Sequence, residues 1–322
     1  MKRLSTVVML VVSALWALGA SAQMYPNRPI KLIVADSAGG APDQLGRLIT
    51  EKLSNNVNQP VVVDNRPGAG GALGAELAAK SAPDGYTLLL TTTAIYAILP
   101  NLRKNLPYDP VRDFVPITRI ATASNVLVVN NELPVKDIAE LVKLAKEKPG
   151  ALNYASAGVG TPAHLAGEML NLLADIKVVH VPYKGAAPAL ADVIGGNAQY
   201  IITSPLAAGA HMNGGRVRAL ATTGTQRNPS LPDLATIAET LPGYDITQTW
   251  GIVVPTGTPP EIVNKLSAEI VKVMNQPDVR EKVLATGATP VGDSPAQFEA
   301  FMTKERQRLG DVIAKRGIAL TD

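Results

Sequence analysis

Apolar and polar positions follow two periods along this chain. Short runs rich in β-branched residues alternate with stretches whose apolar residues recur three and four apart. The pattern is sharpest from Ile30 to Ile49. Ile30, Leu32, Ile33 and Val34 predict a buried strand. Ser37, Ala38, Gly39, Gly40 and Ala41 follow, small enough for the backbone to turn and approach another molecule. Pro42 suits a first helical turn, and Asp43 adds negative charge near its positive end. Leu45, Leu48, Ile49 and Leu53 then keep helical spacing. A strand, a small-residue loop and a helix N-terminus together form a site suited to an anion.

The same design returns at Tyr154–Leu165, with Thr161 as N-cap and Pro162 at N1. Two such loops predict two lobes, with a cleft suited to a ligand negative at both ends. Further strands are predicted at 60–64, 86–91, 114–120, 126–129, 152–155, 178–181, 200–203, 217–223 and 247–254. Helices are expected at 72–82, 135–148, 162–173 and 187–194. Three more, at 260–274, 278–285 and 295–315, would form one C-terminal layer. Repeated β–α units predict an α/β fold with a mostly parallel sheet covered on both faces. The strands at 126–129 and 217–223 bracket a self-contained β–α stretch, expected as the second lobe. The predicted division is 1–22 signal peptide, 23–124 plus 224–322 first lobe, and 125–223 second lobe.

Composition changes this picture at the N-terminus. Lys2 and Arg3 precede an apolar run, and Ala20-Ser21-Ala22 offers a cleavage site, so residues 1–22 predict a secretory signal peptide. Removing Lys2 and Arg3 from the 30 basic residues leaves 28 against 27 acidic. That balance, without basic blocks, argues against nucleic-acid binding. The chain has no cysteine, which excludes disulfides and thiol nucleophiles.

Candidate chemistry is sparse. The 3 histidines, His164, His180 and His211, are scattered, and no metal spacing or cofactor motif is present. His164 is the best functional candidate because it follows a site loop. Ser156 lacks the first glycine of a nucleophile elbow. An exported hydrolase would have to use His164 with Ser156 or Asp36. Asp43 reads either as a helix cap or as one of a carboxylate pair with Asp36. Lys184 and Arg66 read as surface charges or as ligand contacts. Thr92 lies in the threonine run that ends the third strand.

Several stretches resemble the Bug family, also called TctC-type: the extracytoplasmic solute-binding receptors of tripartite tricarboxylate transporters. They are Pro29–Val34, Gly39-Gly40 with Asp43, Val62–Gly71, Ala82–Thr87, Leu106–Pro110, Leu152–Tyr154, Ser156–Thr161 with His164-Leu165, Val181–Gly185, Arg218–Ala221 and Pro255–Pro259. They occur in order across the whole chain after the signal peptide. The resemblance implies a two-lobed Venus-flytrap fold of the periplasmic-binding-protein kind, with a mixed sheet and flanking helices in each lobe. It implies a monomeric periplasmic receptor, not an enzyme, with no cofactor. Such a receptor captures a small organic acid and meets a two-subunit membrane permease transiently. A third alternative is a receptor for an ATP-driven transporter. The ligand residues it implies are Asp36, Ser37, Ala38, Gly39, Gly40, Ala41, Asp43 and Thr92 on one side. On the other are Ser156, Ala157, Gly158, Gly160, Thr161, His164, Lys184, Gly185, Thr203 and Ser204. The chain departs from the family pattern at Asp36, which replaces an aromatic residue. It departs again at Thr203-Ser204, where Asp and Asn are usual, and at Ile95-Tyr96, where smaller or more polar residues are usual.

Overall fold

A computed structural model describes residues 25–316 and Ile318. The predicted signal peptide, residues 1–22, lies outside the described residues. The strands are β1 (Ile30–Val34), β2 (Val61–Asn65), β3 (Thr87–Thr92), β4 (Phe114–Ser124), β5 (Val126–Asn130), β6 (Asn153–Ser156), β7 (Val179–Pro182), β8 (Tyr200–Thr203), β9 (Val217–Thr222), β10 (Thr247–Pro255) and β11 (Thr289–Pro290). They form two sheets, in the orders β11-β4-β10-β3-β1-β2 and β7-β6-β8-β5-β9. Each sheet is mixed, whereas the residue pattern alone predicts mostly parallel pairing. β1, β2 and β3 run parallel, as do β6, β7 and β8. β5 and β10, which follow the two passages between the sheets, pair antiparallel with their neighbours.

Both faces of each sheet are covered, which is why the inner strands β1, β3 and β8 are mostly apolar and buried. Helices Ala41–Val57, Pro260–Met274 and Pro277–Ala285 bury Leu45, Ile49, Ile270 and Val283 on one face of the first sheet. Helix Pro295–Arg316 lies on the opposite face, where Phe298 and Leu309 join Ile33 and Leu89. The three C-terminal helices are therefore split between two layers, against the single layer expected. In the second sheet, helices Ala186–Ile194 and Pro205–Asn213 cover one face with Leu190, Val193 and Ala208. Helices Ile138–Glu147 and Pro162–Leu173 cover the other with Leu141 and Leu165. Gly167 lets the latter helix lie against Tyr154: a Cβ there would stand 2.2 Å from the tyrosine ring.

The chain passes between the sheets at Asn125, between β4 and β5, and again after β9. Asn125 and Thr223 exchange bonds of 2.9 Å: Asn125 N–H donates to Thr223 Oγ1, and Thr223 N–H donates to the Asn125 carbonyl. Thr223 Oγ1 donates to the Ile246 carbonyl at 2.6 Å, and Ile246 N–H donates to the Thr223 carbonyl at 3.0 Å. Three chain segments thus meet at one buried threonine. The stretch from 224 to 246 touches both sides. Asn228 donates to the Gly287 carbonyl, and Tyr244 donates to the Ala166 carbonyl at 3.0 Å.

Candidate functional site: two strand edges facing across a cleft

β1, β2 and β3 end on one edge of the first sheet, and β6, β7 and β8 on one edge of the second. In open α/β sheets this carboxyl edge is where ligands bind. The two edges face each other closely. A Cβ on Gly70, in the turn after β2, would lie 3.6 Å from the Val159 carbonyl, in the loop after β6. Ser37–Ala41 and Thr92 thus share one edge. Ser156–Thr161, Lys184-Gly185 and Thr203-Ser204 share the other.

The first edge is largely self-satisfied. Gly40, and not Asp43, is the N-cap of helix Ala41–Val57, with no side-chain cap, and the loop before it uses its own donors. Ser37 N–H donates to Asp36 Oδ1 at 2.7 Å, Gly39 N–H to Asp43 Oδ2 at 2.8 Å, and Gly40 N–H to the Ser37 carbonyl at 3.2 Å. Asp43 is buried and also accepts from Arg47 Nε at 3.0 Å and Asn65 Nδ2 at 3.0 Å. Burial pushes its carboxyl up, but these hydrogen bonds and the Arg47 charge outweigh it and hold the pKa below the usual carboxylate range. Asp43 is therefore a loop brace: it is neither the N-cap nor a free carboxylate. Asn65 completes the brace by also donating to the Asp36 carbonyl. Its place at the end of β2 gives no sign of this in the sequence, because the contact depends on the pairing of β2 with β1. Asp36 itself is half-buried, and burial first, then the Asp43 charge, raises its pKa against the opposing Ser37 hydrogen bond. Thr92 is half-buried and accepts a long bond from Ile95 N–H, 3.4 Å. Ile95 and Tyr96 are buried within the core, so they support the wall from behind.

The second edge carries three helix N-termini, after β6, β7 and β8. Thr161 caps Pro162–Leu173, its Oγ1 accepting from His164 N–H, and Pro162 fills the first helical position, both as predicted. Ser204 caps Pro205–Asn213 through Ala207 N–H. Gly185, at φ +122, begins Ala186–Ile194 with no side-chain cap, and a Cβ there would meet no atom within 4 Å. The first N–H groups of that helix are left to a ligand or to water. Gly158, at φ +134, closes against the Tyr183 carbonyl, and Gly185 N–H donates to the Ala157 carbonyl at 3.1 Å, so the loops after β6 and β7 are tied together. Lys184 is exposed beside them. Thr203 is buried at the end of β8.

Behind these loops lies a stack of rings. His164 and His180 are 4.2 Å apart between centroids, His180 and Tyr154 4.8 Å, and Tyr154 and Tyr200 5.6 Å. His164 Nδ1 accepts Gly160 N–H at 3.3 Å, and Tyr154 donates to Glu168 at 2.7 Å. Ser156 Oγ lies 2.7 Å from His180 Nε2 and accepts Gly158 N–H at 3.1 Å. Ser156 therefore pairs with His180 and not with His164. Ser156 is fully buried and His164 nearly so, which closes both to a substrate. Burial, and then the neighbouring His164, depress the His180 pKa to about 4. Burial also lowers that of His164, with Glu168 pulling the other way. The histidines brace the loop. Sequence spacing does not reveal His180 as a partner because the contact depends on register: Tyr154 lies opposite His180 in the β6–β7 ladder. Among the described residues, no group of three or more His, Asp or Glu side chains is placed to hold a metal ion. None of the described helices is long and apolar enough to cross a membrane.

Residues 45–318 match the family described as "Tripartite tricarboxylate transporter family receptor". The chain belongs to this receptor family. Among curated relatives, the "UPF0065 protein in tcbD-tcbE intergenic region" of Pseudomonas sp. (strain P51) is 39% identical over 293 residues, 90% of this chain and 87% of that one. Solved receptors of the family share the fold. "R. palustris Rpa4515 with adipate" superposes with a TM-score of 0.88 at 35% identity, covering 92% of this chain and 99% of that one. "MatC (Rpa3494) from Rhodopseudomonas palustris with bound malate" gives 0.84 at 30% identity, covering 90% of this chain and 100% of that one. The two mixed-sheet lobes are those of a periplasmic binding protein in this receptor family.

Proposed function

We propose that the chain is exported to the periplasm and captures a small organic acid, a carboxylate or dicarboxylate, between its two lobes. It then presents the closed form to a two-subunit membrane permease as a monomer. The observation that carries this reading is the second edge: three helix N-termini at the ends of three parallel strands, one of them without a side-chain cap. Each N-terminus carries partial positive charge and free N–H groups, and an oxyanion there forms charge-assisted bonds. The adipate and malate of two structural relatives support the ligand class. The lobes are residues 23–124 with 224–322, and 125–223. They close about the junction of Asn125, Thr223 and Ile246, where few backbone segments need bend. The protein acts by binding and not by turnover: the contact between Ser156 and His180 is buried behind the loops.

The test is a thermal-shift screen of the purified protein with adipate, malate, citrate, succinate and benzoate. A ligand at 100 times its dissociation constant adds about 2.7 kcal/mol, a clear rise in melting midpoint. A rise with any of these acids supports the reading. No rise with any of them, together with a rise for an uncharged or cationic solute, removes it.

A further inference from the structure

We propose that Asp36 sets ligand choice: the bound acid also carries a protonated amine, which meets the Asp36 carboxylate while its own carboxylate rests on the second edge. This rests on the receptor reading above and adds the chemistry of the ligand's other end.

The first edge is a poor host for an anion. Its Ser37, Gly39 and Gly40 N–H groups are already bonded within the loop. The acceptor for one of them is Asp36 itself. Its Cγ and Oδ1 stand 3.6 Å from where a Cβ on Gly40 would be, at the start of helix Ala41–Val57. A fixed carboxylate thus occupies the place that an incoming anion would take. A second ligand carboxylate brought here would face Asp36, with Asp43 behind it.

Asp36 also lacks a cation. The nearby arginines are committed elsewhere: Arg47 pairs with Asp43 at 3.0 Å, and Arg66 with Asp64 at 2.9 Å. Asp36 forms no salt bridge among the described residues, and its side chain accepts one hydrogen bond, from Ser37. A half-buried carboxylate without a partner is costly, and a ligand cation beside it offsets that cost. The facing edge has the opposite sign, with its helix N-termini and the exposed Lys184. One wall therefore carries the unpaired Asp36 carboxylate at the start of helix Ala41–Val57, and the other carries three helix N-termini and Lys184, at a separation that brings Gly70 against Val159. A zwitterion matches both walls. A hydroxy acid would give Asp36 a hydrogen bond but leave its charge unmatched.

Matched pairs test this by calorimetric titration: aspartate and succinate, glutamate and glutarate, 4-aminobutanoate and butanoate, with malate as the hydroxy acid. In the pair that binds, the amine-bearing member should bind the natural protein at least tenfold more tightly, about 1.4 kcal/mol. Asp36→Asn, which keeps the shape, should reduce that preference to twofold or less. Equal or tighter binding of the amine-free acid overturns the proposal, as does a preference for malate over aspartate, or a preference that survives in Asp36→Asn. If the variant does not fold, the matched pairs on the natural protein still decide between these outcomes. If amine-free acids bind and amine-bearing ones do not, only the Asp36 proposal fails. If no carboxylate of either kind binds, the receptor reading fails with it.

Discussion

Lowering the pH from 7 to 5 should destabilise this protein through His180. The ring is packed between His164 and Tyr154, with Nε2 on Ser156. Burial and the neighbouring histidine depress its pKa from 6.5 to about 4 in the folded protein. The folded state thus favours the neutral ring, while the unfolded chain takes up the proton as pH falls through 6.5. Stability from this group is fully present above 6.5 and is lost as pH falls toward about 4. Between pH 7 and 5 the loss comes to about 2 kcal/mol. His164, also lowered, acts in the same direction, whereas Asp36, raised by burial, opposes it. Asp43, held below the carboxylate range, matters only at lower pH. Urea unfolding at pH 7 and 5 measures this in the natural protein and in His180→Phe, which keeps a flat ring in the stack but cannot titrate. The difference between the two pH values should shrink by about 2 kcal/mol in the variant. An unchanged difference would refute the assignment of the pH effect to the stacked ring.

Substitutions at three positions test the supporting structure. Gly167→Ala drives a methyl into the Tyr154 ring and should cost about 3 kcal/mol, read as a lower melting midpoint. Thr223→Val strips the Asn125 N–H and the Ile246 carbonyl of their side-chain partner at the junction of the lobes. It should cost about 2 kcal/mol in urea unfolding, and an unchanged midpoint would contradict the role given to Thr223. Asp43→Ala removes the acceptor for Gly39, Arg47 and Asn65. It should lower stability by about 3 kcal/mol and speed amide exchange at Gly39, whereas Asp43→Asn should keep part of both.

The elements that position the site are legible in the residues because local chemistry specifies them. Ile30–Val34 is a short apolar strand, Asn153–Ser156 runs straight into a small-residue loop, and Thr161-Pro162 starts its helix through a side-chain cap and a missing N–H. Ala94–Leu102 gives no helical signal because the whole run Ala94–Leu99 faces the core, leaving no amphipathic period. Pro205–Asn213 is silent for a related reason: Ala207, Ala208, Gly209 and Ala210 are too alike to mark a face. At the site itself, the loops and their edges are legible, but who bonds to whom is not. Asp43 reaching back to Gly39, Asn65 crossing from β2, and His180 stacking beneath Ser156 all depend on strand pairing and side-chain direction. The anion cradle expected at Gly39-Gly40 departs furthest from the structure, because three of its N–H groups are consumed within the loop.

The central claim is that the second edge holds the acid. Calorimetric titration of the tightest-binding acid into the natural protein and into Gly185→Val tests it most directly. Gly185 sits at φ +122 with open space around its Cβ position, over the uncapped start of helix Ala186–Ile194. A valine there strains the loop and covers those N–H groups while touching nothing in the core. The predicted result is a loss of affinity of at least tenfold, in a variant that still melts cooperatively. An affinity equal to that of the natural protein would contradict the account.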